Sequence, residues 1–177
     1  MGFPPPACEP RPFRWLVTEW GDWLASVITQ TRLIMASPAT VFAVLSDGWL
    51  FASWVVGAAR IRDVDADWPA VDSRIHHSVG SWPLMLSDQT IVSEMKPNSV
   101  LEMIARAWPA GEALVRIELE AHGAGTNVVM HEDARRGPAT LIPGPVREIA
   151  LKRRNAESLK RLAYLAENGA RKAPSEV

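Results

Sequence analysis

A chain of 177 residues, 47% of them hydrophobic, carries the material for one domain with its own core and needs neither a metal nor a disulfide to hold it. The formal net charge is -1 and no basic block interrupts the sequence, which excludes the electrostatic footprint of a protein that binds a nucleic-acid backbone or an anionic bilayer. Cys8 is the sole cysteine, so there is no disulfide framework and no paired-cysteine metal site; with no apolar run near the ~20 residues of a spanning helix and no secretory signal, a soluble cytoplasmic protein is expected.

Residues 1–24 read as an extension. Pro4, Pro5, Pro6, Pro10 and Pro12 remove backbone donors and favour an extended segment. Trp15, Trp20 and Trp23 follow, too many large rings for an idle tail, so this stretch could pack on the domain or on a second subunit, which keeps a homodimer open. The alternative is a start codon assigned too far upstream. The domain proper is expected at 25–169, with a disordered tail at 170–177.

Residues 26–36 are rich in β-branched side chains and lack Gly and Pro, as a first strand should. Ser37-Pro38 then offers a cap and a first-turn proline for a short helix through Val41, Phe42, Val44 and Leu45, ending near Asp47-Gly48. A second short helical turn covers 49–54. Six further strands are expected at 55–64, 72–80, 84–95, 100–108, 113–121 and 126–133, separated by turn signals such as Lys96-Pro97-Asn98 and Gly123-Ala124-Gly125. Connections this short imply antiparallel neighbours, because a parallel return needs a crossover of about a dozen residues. Val115-Arg116-Ile117-Glu118-Leu119-Glu120 alternates apolar and charged side chains without a miss, so one face of the sheet is dry and the other wet.

Gly144-Pro145 opens a long helix to about Gly169. At ~100° per residue, Leu151, Asn155, Leu159, Leu162, Ala163 and Ala166 share one face, while Arg153, Arg154, Glu157, Arg161 and Tyr164 fall on a solvated face. Arg153 with Glu157 and Glu157 with Arg161 stand at i, i+4 spacing. A long amphipathic helix after a run of antiparallel strands needs a concave sheet to close on, which predicts an α+β container. No repeat of 20 to 50 residues, no GxSxG elbow, no P-loop and no GxGxxG fingerprint is present, so no cofactor is expected.

This order of elements resembles the START-like superfamily, also called SRPBCC, and its helix-grip fold. Several stretches resemble its polyketide cyclase/dehydratase and lipid-transport branch: Ala36-Ser37-Pro38-Ala39-Thr40-Val41-Phe42, Trp54-Val55-Val56-Gly57, Arg74-Ile75-His76-His77-Ser78-Val79-Gly80, the run from Gly125 to Asp133, and Arg154-Asn155-Ala156-Glu157-Ser158-Leu159. The resemblance implies a curved seven-stranded antiparallel sheet wrapped around the last helix, with two short helices after the first strand and an apolar cavity for a lipid, polyketide or sterol. Some relatives catalyse cyclisation or dehydration and many only bind or carry, so the fold alone does not decide the activity.

His77 is the first candidate for chemistry, since imidazole titrates near neutral pH and alternation with Ile75 and Val79 points it inward. It would serve as general base, or be a strand histidine satisfied by a polar neighbour. His76 points to the opposite face, so the pair cannot share a metal ion and no metal site is expected. Glu132 shares a face with Val128 and Met130 and is the second catalytic candidate; otherwise it is an edge carboxylate paired with Arg135 or Arg136. Asp88 and Thr90 also share a face, inner or outer. Asn155 stands in the middle of the helix's apolar face, where it must find a partner or cost ~1–3 kcal/mol; ligand and strand or loop carbonyl are both open. Trp54, Trp82, Met85, Leu101, Met103, Met130 and Leu159 complete an adaptable apolar lining.

Three functions follow. The first is binding or transport of a small hydrophobic molecule. The second is an aromatase/cyclase or dehydratase with His77 as base and Asn155 or Glu132 orienting a carbonyl. The third is an interaction or regulatory module that uses the Trp-rich extension.

Overall fold

A computed structural model of the chain describes residues 27–81, 84–107, 111–136 and 144–172. The extension, Trp82 and the last five residues lie outside the described residues. The elements run β1 (Val27–Ile34), α1 (Pro38–Leu45), a 3-10 turn (Gly48–Leu50), α2 (Phe51–Trp54), β2 (Ala58–Val64), β3 (Arg74–Ser81), β4 (Leu84–Lys96), β5 (Val100–Ala107), β6 (Gly111–His122), β7 (Gly125–Arg136) and α3 (Gly144–Lys172). All seven strands form one antiparallel sheet in the order β1-β7-β6-β5-β4-β3-β2. From β2 to β7 it is an unbroken meander, and β1 closes on β7, so that α1 and α2 leave from one edge and return to the other. This is the helix-grip arrangement.

Local chemistry explains the punctuation. The Ser37 hydroxyl accepts the Thr40 N–H at 3.2 Å and Pro38 occupies the first turn of α1, whose Val41, Phe42, Val44 and Leu45 are buried. Asp47 caps the 3-10 turn by accepting the Trp49 N–H at 3.0 Å. A Cβ on Gly48 would lie 2.6 Å from a methyl of Val64, so only glycine lets this turn approach β2. The sequence pattern starts β2 and β3 a few residues early. Val55 still belongs to the end of α2, through its N–H to the Phe51 carbonyl, and Gly57 and Asp72 have positive φ values of 110° and 70° that interrupt extended backbone.

The inner face packs Ile75, Val92, Leu101, Met103, Ile117, Val128 and Met130 against Leu159, Leu162, Ala163 and Ala166 of α3 and against α1. Tyr164, 69% exposed, faces away. The C-terminal half of α3 therefore seals the core. Its N-terminal turns do not: Val146 and Ile149 remain exposed. Among the described residues no helix is long and apolar enough to cross a membrane.

Candidate functional site

Side-chain size along the β5–β6 ladder decides where the interior is filled. The inward pairs are Leu101 opposite Ile117, then Met103 opposite Val115, then Ala105 opposite Ala113. Large side chains close the core at the first pair, and the alanines leave it open at the last, beneath the stretch of α3 that contributes Ala150 and Leu151. The result is a cavity of about 310 Å³ between α2, the N-terminal half of α3 and strands β4 to β7. That lies at the lower end of the range for small-molecule sites.

Its polar groups come from two directions. From β7, Glu132 reaches the wall although it is only 3% exposed. Asn155 donates its Nδ2–H to Oε2 of Glu132 at 2.8 Å, and Arg154 donates from Nη2 to Oε1 of the same carboxylate. Arg154 Nε also donates to Asn155 Oδ1 at 3.3 Å, closing a triad of carboxylate, guanidinium and amide. One turn on, Ser158 accepts the Val56 N–H at 3.1 Å and ties α3 to the segment after α2. From β4, Thr90 lines the wall, and its hydroxyl lies 2.9 Å from Nε2 of His77.

His77 itself stands behind that wall. Its ring stacks on Phe51 with centroids 5.7 Å apart, and among the described residues Nδ1 has no hydrogen-bond partner. Burial holds the imidazole's pKa below its ordinary value; Asp88 opposes the shift, and Arg62 and His76 add to it. A neutral ring clamped between Phe51 and Thr90 orients the hydroxyl and does not touch the cavity. Among the described residues no group of three His, Cys, Asp or Glu side chains is arranged to hold a metal ion.

Residues 26–167 match the family model described as polyketide cyclase / dehydrase and lipid transport. The chain belongs to that family. Solved structures with the same fold include the Zhui aromatase/cyclase from Streptomyces sp. R1128, 15% identical with a TM-score of 0.65 over 84% of this chain and 97% of that one. The di-domain aromatase/cyclase StfQ of the steffimycin biosynthetic pathway is 10% identical with a TM-score of 0.64, and the match covers 84% of this chain and 53% of StfQ. Protein CV1439 from Chromobacterium violaceum is 20% identical with a TM-score of 0.63 over 80% and 98% of the two chains. Among curated proteins none matches the sequence.

Within this member of the polyketide cyclase and lipid-transport family, Trp54, Met103, Met130, Glu132 and Asn155 all stand at the cavity wall. Leu101 and Leu159 do not. Both are 1% exposed and belong to the sealed half of the core, because Leu101 faces Ile117 and Leu159 lies a turn beyond Asn155, where α3 has already closed on the sheet. Trp82 lies outside the described residues, and no side-chain placement is described for Met85. Asp88 and Thr90 face inward, opposite His77 and Ile75, and are 9% and 1% exposed.

The partners of the polar candidates differ from the simplest sequence reading. Glu132 pairs with Arg154, where Arg135 or Arg136 was the alternative, and Asn155 binds that carboxylate in place of a carbonyl. Arg154 was expected on the solvated face. It sits only ~100° from Asn155 around the helix, at the margin of the apolar stripe, and its long stem carries the guanidinium back to the wall. A polar Asn155 and Ser158 at i, i+3 on an apolar face were the available signal that this stripe holds a polar site. On the outer surface Glu157 pairs with Arg161 at 3.0 Å and with Lys160 at 3.6 Å.

Proposed function

We propose that the protein binds or carries a small hydrophobic molecule, lipid or polyketide-like, in the cavity under the N-terminal half of α3. The observation that carries this reading is the taper from Leu101 and Ile117 to Ala105 and Ala113, which leaves about 310 Å³ unfilled behind a mostly apolar wall. Burying ~300 Å² of apolar ligand surface at ~25 cal/mol per Å² supplies a gross ~7.5 kcal/mol, from which the ordering costs of binding are subtracted. The test is native mass spectrometry of protein purified from its own host. An apolar mass should accompany the wild type and be lost from Ala105→Trp, a substitution that fills the wide end. Retention of the same mass by a folded Ala105→Trp protein would place the guest elsewhere.

The second reading, an aromatase/cyclase or dehydratase, has one observation in its favour: a wall hydroxyl, Thr90, backed by the His77 imidazole. Against it, Glu132 has both oxygens engaged by Arg154 and Asn155, so His77 and Glu132 do not form an uncommitted acid–base pair. Under the carrier reading His77→Ala retains ligand. Under the catalytic one, turnover of an offered polyketide falls by roughly 10²-fold or more.

A further inference from the structure

The triad on the cavity wall can be read as an inventory of what it has left to offer. Oε1 of Glu132 is taken by Arg154, Oε2 by Asn155, and Oδ1 of Asn155 by Arg154 Nε. Each acceptor oxygen of the three side chains thus already holds a donor, and only second lone pairs are left. Donors remain in surplus, because a guanidinium carries five N–H bonds and an amide two. Among the described residues Nη1 of Arg154 has no protein partner, and one N–H of Asn155 is uncommitted. Ser158, on the same side, already accepts from the Val56 N–H and keeps its own proton to donate.

Charge narrows the choice further. The wall includes Glu112 and Glu132 together with Arg147 and Arg154, so its formal charges cancel. Glu132 is nearly inaccessible, and an anionic guest docking on Arg154 would stand close to that carboxylate and compete with it for the guanidinium. An uncharged oxygen acceptor avoids both costs.

We infer that the site selects an apolar molecule bearing an uncharged carbonyl oxygen, as in a ketone, ester or amide, which docks on Arg154 while Glu132 and Asn155 hold the guanidinium in place. Arg154 is the specificity-determining residue. Glu132 is a positioning residue whose role is to anchor the donor and keep the wall neutral. This rests on the cavity-binding reading above, and it adds the chemical class of the guest.

Four naphthalenes of similar size separate the terms: 2-acetylnaphthalene (neutral acceptor), 2-naphthoate (anionic acceptor), 2-naphthol (donor) and 2-ethylnaphthalene (neither). Titrated by their own fluorescence into the full-length protein, the ketone should bind about tenfold or more tighter than the ethyl compound, and tighter than the naphthoate and the naphthol. In Arg154→Met the ketone-to-ethyl ratio should fall to about one. Should that variant fold poorly with Glu132 left unpaired, the double variant Glu132→Gln/Arg154→Met keeps an amide pair with Asn155 and should show the same collapse. Equal binding of ketone and ethyl compound by wild type would overturn the inference and leave the hydrophobic cavity standing. A preference for naphthoate or naphthol, or a ratio that survives the double variant, would also overturn it. Binding of none of the four would remove the cavity reading itself.

Discussion

The sheet carries an arginine–glutamate cluster on each face, and the two differ in almost everything except their residue types. On the outer face Arg116 contacts Glu94, Glu102 at 3.1 Å and Glu118 at 2.7 Å, with 19–44% of each side chain exposed. Hydrogen bonds from Lys96 and then Arg116 pull the Glu94 pKa down to about 2, while Glu118 and then Glu94 raise that of Arg116. On the inner face Arg154 has one carboxylate partner among the described residues, Glu132, which is 3% exposed and has Asn155 as its second donor. The outer cluster has more ion pairs and the smaller consequence, because water replaces any contact that is lost. The inner one has no such substitute, since a carboxylate left alone beside an apolar cavity keeps its desolvation cost.

The sharpest way to break this contrast is to remove each arginine in turn. Arg154→Met should lower the free energy of unfolding in urea by about 3 kcal/mol, the low end for a broken buried pair because the guanidinium itself is partly exposed. Arg116→Met should lower it by less than ~1 kcal/mol. Equal effects would mean that burial does not distinguish the clusters. Asn155→Leu comes next, at about 1–3 kcal/mol, because it removes one donor to Glu132 and leaves the ion pair; an unchanged unfolding midpoint would show the amide bond to be dispensable.

Titration sharpens the contrast at smaller amplitude. For His77 the folded pKa lies below the unfolded value near 6.5, so the unfolded chain takes up the proton first. Stability is whole above about pH 6.5 and declines as pH falls through the folded value. His77→Gln should flatten the stability profile just below pH 6.5, and an unaltered profile would show that the imidazole is not held neutral. Glu94 is also depressed, so its contribution is present above about pH 4.5 and lost as pH falls towards about 2. Because that side chain is about one-third exposed and its partners lie at the surface, Glu94→Gln should make the smallest change of the series, confined to that acid window and diminished by added salt.

Much of this architecture was legible in one dimension. The Ser37-Pro38 signal marks α1 because capping is chemistry between neighbours in sequence. The strict alternation from Val115 to Glu120 marks two faces because a strand's period is two, and Ile117 and Leu119 are buried as that period requires. Leu159 and Leu162 turn inward for the same kind of reason at the helical period. His77 shows where such arguments stop. Alternation sends it to the inner face correctly but says nothing of depth, and Phe51 and Thr90 stand between it and the open space.

By itself, then, the order of residues determined the elements, their antiparallel succession and which side of each strand is dry, since these depend on backbone periodicity and near-neighbour hydrogen bonds. Only the tertiary structure decided that the small residues Ala105 and Ala113 meet across one ladder, that Leu159 falls in the sealed half, and that Arg154 bends back to Glu132. Those outcomes depend on which distant positions are brought into register and on how far a flexible side chain can reach. A cavity is the volume left over when all such placements are summed, so it belongs to the folded whole.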